Sequence, residues 1–108
     1  MSDNLVALDL SRFTRTDIRK LADLRKKVQM MRRWCRCERL EKDGRDTILL
    51  YSGDRGAQPY ACYRITRRND GSYSLQDARS DANIADGRTI DIVIDALPDD
   101  FYFTKYLT

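Results

Sequence analysis

Two glycine-centred turns constrain this chain more than any other feature. Asp43-Gly44 separates WCRCERLEK from RDTILLYS, and Asn69-Asp70-Gly71 separates YACYRITRR from SYSLQD. Asp-Gly between two alternating stretches signals a two-residue hairpin, because both turn residues need positive φ. The spacing predicts paired strands over 34–42 and 45–52, with Cys35, Cys37 and Arg39 facing residues 48–52. For the second turn the register can be chosen. A three-residue loop sets Ile65 opposite Leu75 and Arg67 opposite Tyr73, which gathers Tyr63, Ile65, Tyr73 and Leu75 into one inner row. A two-residue loop would scatter that row. Gly71 then takes the left-handed position such loops require.

Helices flank the hairpins. Thr14 and Asp17 have the spacing of a capping box, and Phe13 and Ile18 fall at the positions of a hydrophobic staple. Apolar residues then recur at Leu21, Leu24, Val28, Met31 and Cys35. The stripe fails beyond that point, since 38, 39 and 42 are Glu, Arg and Lys, so the helix is expected to end near residue 33 to 35. The competing reading is one helix running to Lys42, with Gly44 just past its end. Near the C-terminus, Thr89 reads as an N-cap, Ile90, Val93, Ile94 and Leu97 form a second stripe, and Pro98 ends the helix. Between the hairpins and that helix, residues 80–88 are a connection with room for a short extended piece at 83–85. The expected fold is α+β. It has an N-terminal helix, an antiparallel four-stranded meander of two hairpins, and a C-terminal helix and aromatic tail packed on one face. At 108 residues the chain reads as a single domain, with residues 1–10 as a flexible or strand-like arm.

Several chemistries lack their residues. The chain has no histidine, which removes Ser-His and Cys-His nucleophile pairs and histidine-based zinc sites. Three cysteines at 35, 37 and 62 do not have structural-zinc spacing, so they read as core residues rather than a metal site. Neither GDRG nor any other segment completes a phosphate-binding glycine motif, and Asp91 with Asp95 reads as a solvated pair on a helix. The expectation is a non-enzymatic chain with no cofactor, metal or small-molecule substrate. An odd cysteine count, the absence of a secretory start and of a long apolar run point to a cytoplasmic protein with no membrane association.

Charge is what remains. Residues 1–42 carry twelve Lys/Arg against six Asp/Glu, and residues 43–108 carry eight against eleven. Such asymmetry suggests a polyanionic partner for one face. The segment RKKVQMMRRWCRCER concentrates it, and on a helical wheel Arg25, Arg32, Arg33 and Arg36 cluster beside Lys26. The leading expectation is therefore a small binding module for nucleic acid or another polyanion, using Arg25, Lys26, Arg32, Arg33 and Arg36, with Trp34 stacking on a base. For Trp34 itself the favoured reading is a core anchor at the helix–strand junction, with stacking as its alternative. The alternative function is a protein-interaction module or small regulator of the mobile-element type. It would use Asp91, Asp95, Asp99, Asp100, Phe101 and Tyr102. The opposed charges of the two halves also permit self-association.

The segments YRITRRNDGSYSL and GRTIDIVIDAL resemble, in their strand–strand–helix order, HicB-type antitoxins, over under half of the chain and without a diagnostic residue. The order of helix, antiparallel strands and helix also resembles double-stranded RNA-binding domains. Their basic motif at the start of the second helix has no counterpart in Gly87-Arg88-Thr89-Ile90-Asp91. No residue role is carried over from either.

Overall fold

Five consecutive antiparallel strands build the frame. The structure is a computed structural model that describes residues 9–42, 45–54 and 60–103. Its order is helix α1 (Arg15–Met30), strands β1 (Arg33–Lys42), β2 (Arg45–Asp54), β3 (Ala61–Arg67), β4 (Tyr73–Asp77) and β5 (Asn83–Gly87), helix α2 (Ile90–Asp95) and a 3-10 turn at Asp99–Phe101. The strands form one antiparallel sheet in sequence order, so the meander has five strands rather than the four expected. The extra strand is the extended piece anticipated at 83–85, lengthened by two residues and joined to β4 through an irregularity beside Leu75 and Gln76.

Both hairpins adopt the expected registers. Cys35, Cys37 and Arg39 oppose Ser52, Leu50 and Ile48, and the first hairpin closes with Lys42 opposite Arg45. Residues 43–44 of its turn lie outside the described residues. In the second hairpin Ile65 opposes Leu75 and Arg67 opposes Tyr73, with Gly71 at φ 86°. The other register would have turned every apolar side chain of one strand to the wrong face.

Both helices pack on the same face. From α1, Leu21, Leu24 and Val28 are buried, and from α2 and its exit come Ile90, Val93 and Leu97. They meet Ile48, Leu50, Tyr63, Ile65, Tyr73 and Leu75 of the sheet, with Phe101 of the 3-10 turn fully buried among them. The aromatic tail thus docks through Phe101 and the half-buried Tyr102, whereas Phe103 is exposed, and residues 104–108 lie outside the described residues.

Buried carboxylates fix the helix entry. The Thr14 hydroxyl accepts from the Asp17 N–H and the Asp17 carboxylate accepts from the Thr14 N–H, the reciprocal bonds of a capping box. Asp17 also accepts from the Tyr73 hydroxyl at 2.8 Å, so the cap is tied to β4. Burial and that carboxylate push the Tyr73 hydroxyl up to about 12. Asp46 holds the residue before the cap, accepting from the Phe13 N–H at 2.9 Å and from the Arg39 guanidinium. Phe13 packs toward Tyr73, while Ile18 stays exposed.

The helix ends earlier than its apolar stripe implied. Met31 caps it, and Arg32 follows in the left-handed region at φ 64°, donating its N–H to the Gln29 carbonyl at 3.0 Å. Glycine usually takes that position because a side chain there is strained. The chain then enters β1 at Arg33, so Met31 is outside the helix and Cys35 belongs to a strand. The reading of one helix to Lys42 is excluded by the pairing of β1 with β2 along its full length. Among the described residues no helix is long and apolar enough to cross a membrane.

Candidate functional site

The pairing registers assign each strand residue to one of two faces. Odd-numbered residues of β1 face the helices. Even-numbered ones, Trp34, Arg36, Glu38 and Leu40, lie on the opposite face beside Leu49, Tyr51 and Gly53 of β2 and Cys62, Arg64 and Thr66 of β3. No described helix or strand covers that second face.

At its β1–β2 end three rings gather. Trp34 and Tyr51 each stand 6.0 Å, centroid to centroid, from Tyr60, and the Arg36 guanidinium lies 4.8 Å over the Tyr51 ring. Room for the indole comes from Gly53. A Cβ at that position would sit 2.9 Å from the Trp34 ring, so the indole lies against bare backbone. Tyr60 is exposed and Trp34 half-buried, which leaves ring surface open to solvent. Burial raises the Tyr51 hydroxyl; the Cys62 thiol and Glu38 push the same way and Arg36 opposes them.

Farther along the same face lies a polar basin of about 510 Å³, lined by Arg45, Thr47, Arg64, Thr66, Ser74, Gln76 and Asp81. Arg64 forms one wall, held by Gln76 at 3.0 Å and by an ion pair with Asp81. Arg45 is exposed and has no carboxylate partner among the described residues. Rings followed by guanidiniums on an open sheet form a surface that can stack flat groups and accept anions, with the Thr47 and Ser74 side chains buried beneath them.

The basic row expected on one helix is divided among three places. Arg25 and Lys26 are exposed on α1, and Arg32 is exposed in the turn after it. Arg33 is only 6% exposed, donating to Asp54 at 2.9 Å and to the Asp100 carbonyl at 3.0 Å, so it is an internal tie. Trp34 and Arg36 stand on the open face of the sheet. The helical-wheel grouping fails because the helix stops at Met30, and beyond it successive residues alternate sides. The core-anchor reading of Trp34 fails for the same reason.

The acidic set is also dispersed. Asp91 pairs with Lys20, and Asp100 accepts from the Tyr63 hydroxyl and from Arg79. Phe101 is in the core and Tyr102 is half-buried against it, beneath Lys27. Only Asp95 and Asp99 remain as exposed members without a described ion pair.

Cys35 and Cys37 share the helix face, whereas Cys62 is on the other, so the three thiols do not converge. The Cys35–Cys37 hydrogen bond holds the Cys37 thiol below its ordinary value, aided by Arg25 and opposed by burial. Among the described residues no three His, Cys, Asp or Glu side chains stand together as a metal site. Sequence reasoning missed Tyr51, Tyr60, Arg45 and Arg64. The parity that puts Cys35 and Leu50 on the inner face would have assigned Trp34 and Tyr51 to the outer one.

No protein-family model, curated protein or solved structure matches this chain.

Proposed function

We propose that this chain is a non-enzymatic module that binds single-stranded nucleic acid across the open face of its sheet. The observation that carries the reading is the ring cluster of Trp34, Tyr51 and Tyr60 continuing into the basin that holds Arg45 and Arg64. Base–aromatic stacking contributes about 1–3 kcal/mol per base and tolerates any sequence, because every base has a π-face. Guanidiniums beside the rings neutralise phosphates, and Arg36 over Tyr51 forms a layer on which a further base can stack. A duplex fits this surface poorly, since its bases are already stacked on one another and present only their edges.

Trp34 is the only tryptophan in the chain, so the site carries its own probe. Titrating oligothymidylate into the protein at about 50 mM salt, where phosphate contacts are strong, is expected to quench Trp34 fluorescence as binding saturates. Absence of binding by a labelled oligonucleotide under those conditions rejects the proposal. Binding with unchanged indole emission also rejects stacking at this face. It would favour α1 instead, where Arg15, Arg19, Arg25 and Lys26 are exposed without carboxylate partners among the described residues.

A further inference from the structure

The sheet ends on one side in a long open edge. β1 runs for ten residues and is paired with β2 alone; no described residue bonds to its outer edge. Natural edges are commonly kept short, kinked by a bulge or broken by proline. β1 has none of these, since its register with β2 is one-to-one from Arg33 opposite Asp54 to Lys42 opposite Arg45. It is guarded by charged side chains alone, which a partner of complementary charge neutralises. On the helix face the same edge borders an apolar groove of about 320 Å³, lined by Ile18, Leu21, Ala22, Arg25, Cys37 and Ile48 and by Arg39.

We propose that the partner of this edge is a second copy of the chain, with β1 pairing antiparallel to β1 about a two-fold axis at Cys37. Directly opposed residues share a face, so only registers centred on a residue keep both apolar faces inward. Centring on Cys37 sets Arg36 opposite Glu38 and Arg33 opposite Glu41, each twice, with Trp34 opposite Leu40 on the open face. No like charges oppose one another between Arg33 and Glu41. Centring on Arg36, Glu38 or Arg39 places that charge against itself. A register centred on Leu40 is also complementary but pairs only five residues a side. Of the two nine-residue registers, centred on Cys37 and on Glu38, only the first therefore has matched charges. It brings the two α1 helices alongside each other, covering the grooves at Ile18 and Ala22, and joins the two open faces into one ten-stranded surface. The inference stands whether or not that surface binds nucleic acid.

Sedimentation equilibrium in reducing buffer, at protein concentrations up to 100 µM, should return twice the chain mass for the wild type. Glu38→Arg, at an exposed position off the core, should weaken the dimer at least tenfold by setting Arg36 against a second arginine. The double variant R36E/E38R should restore it, since the swap recreates the pair across the axis. Unchanged circular dichroism of both variants distinguishes loss of pairing from loss of fold. A protein lacking Cys35 and Cys62 (C35S/C62S) should form a Cys37–Cys37 disulfide under mild oxidation, because opposed residues in an antiparallel pair lie within disulfide reach. A monomeric wild type at 100 µM overturns the proposal. So does a dimer indifferent to Glu38→Arg, or one that the double swap fails to restore.

Discussion

The two faces of the sheet are made from the same strands, yet they obey different rules. On the helix face burial settles the central positions. Leu50, Ile65, Leu75, Val93 and Phe101 are all fully enclosed, and Ser52 donates to the Phe101 carbonyl at 2.7 Å. On the open face, rings rest on a glycine and on one another, and a guanidinium caps a tyrosine. The comparison teaches that alternation along a strand fixes one face for stability and leaves the other available for recognition. Truncating residues on the two faces should therefore have different consequences.

The largest effect is expected in the core. Phe101→Ala should destabilise the fold by about 3–5 kcal/mol, the usual cost of emptying a fully buried aromatic site. Trp34→Ala should cost clearly less than Phe101→Ala in the same urea titration, because the indole is half-exposed, while weakening the binding of a labelled oligonucleotide about tenfold or more, the loss of one base stack. Equal losses of stability would erase the distinction between the faces.

Acid should act in part through Asp46 on the helix face. Burial alone would raise the Asp46 carboxyl, but the Arg39 guanidinium and the Phe13 N–H outweigh it and hold the group below the ordinary carboxylate range. The unfolded chain therefore takes up the proton before the folded one. Stability from this group is complete above the ordinary carboxylate range and is lost as pH falls through the lower folded value. Asp46→Asn should lower stability at neutral pH and flatten its decline between neutrality and acid, measured as urea midpoints over that range. A decline as steep as in the wild type would assign acid sensitivity elsewhere.

A smaller effect of opposite sign is expected at the helix exit. Arg32 occupies a left-handed position at φ 64° that glycine adopts without strain, so Arg32→Gly should stabilise by about 1 kcal/mol. For a domain of this size that corresponds to a rise of roughly 4–8 °C in Tm. An unchanged or lower Tm would mean the arginine side chain contributes more than its backbone strain costs.

What could be read from the sequence follows the same division. Both hairpin registers were legible, because Asp43-Gly44 and Gly71 name their turns and one shift in pairing would bury the wrong side chains. The start of α1 was legible from Thr14 and Asp17. Its end was not, because an arginine in the left-handed position carries no sequence signal and the apolar spacing continues through Met31 and Cys35 by coincidence. The fifth strand was visible only as an extended piece, since the irregularity at Gln76 breaks its alternation. The candidate site was half legible. Trp34 and Arg36 fall within the strand expected over 34–42, but grouping Arg36 with the arginines of α1 on a helical wheel hides its neighbours across the sheet, Tyr51 and Tyr60.

The central claim is that recognition belongs to the open sheet face and not to the basic helix, and salt dependence separates the two most directly. Affinity for oligothymidylate should be measured against salt concentration for the wild type, for R36A/R45A and for R25A/K26A. On single strands the log–log slope changes by about 0.7 for each phosphate contact. The R36A/R45A protein should lose about 1.4 from that slope and bind more weakly throughout, whereas R25A/K26A should retain the wild-type slope. A slope flattened in R25A/K26A and unchanged in R36A/R45A would contradict the account and move the binding surface to α1.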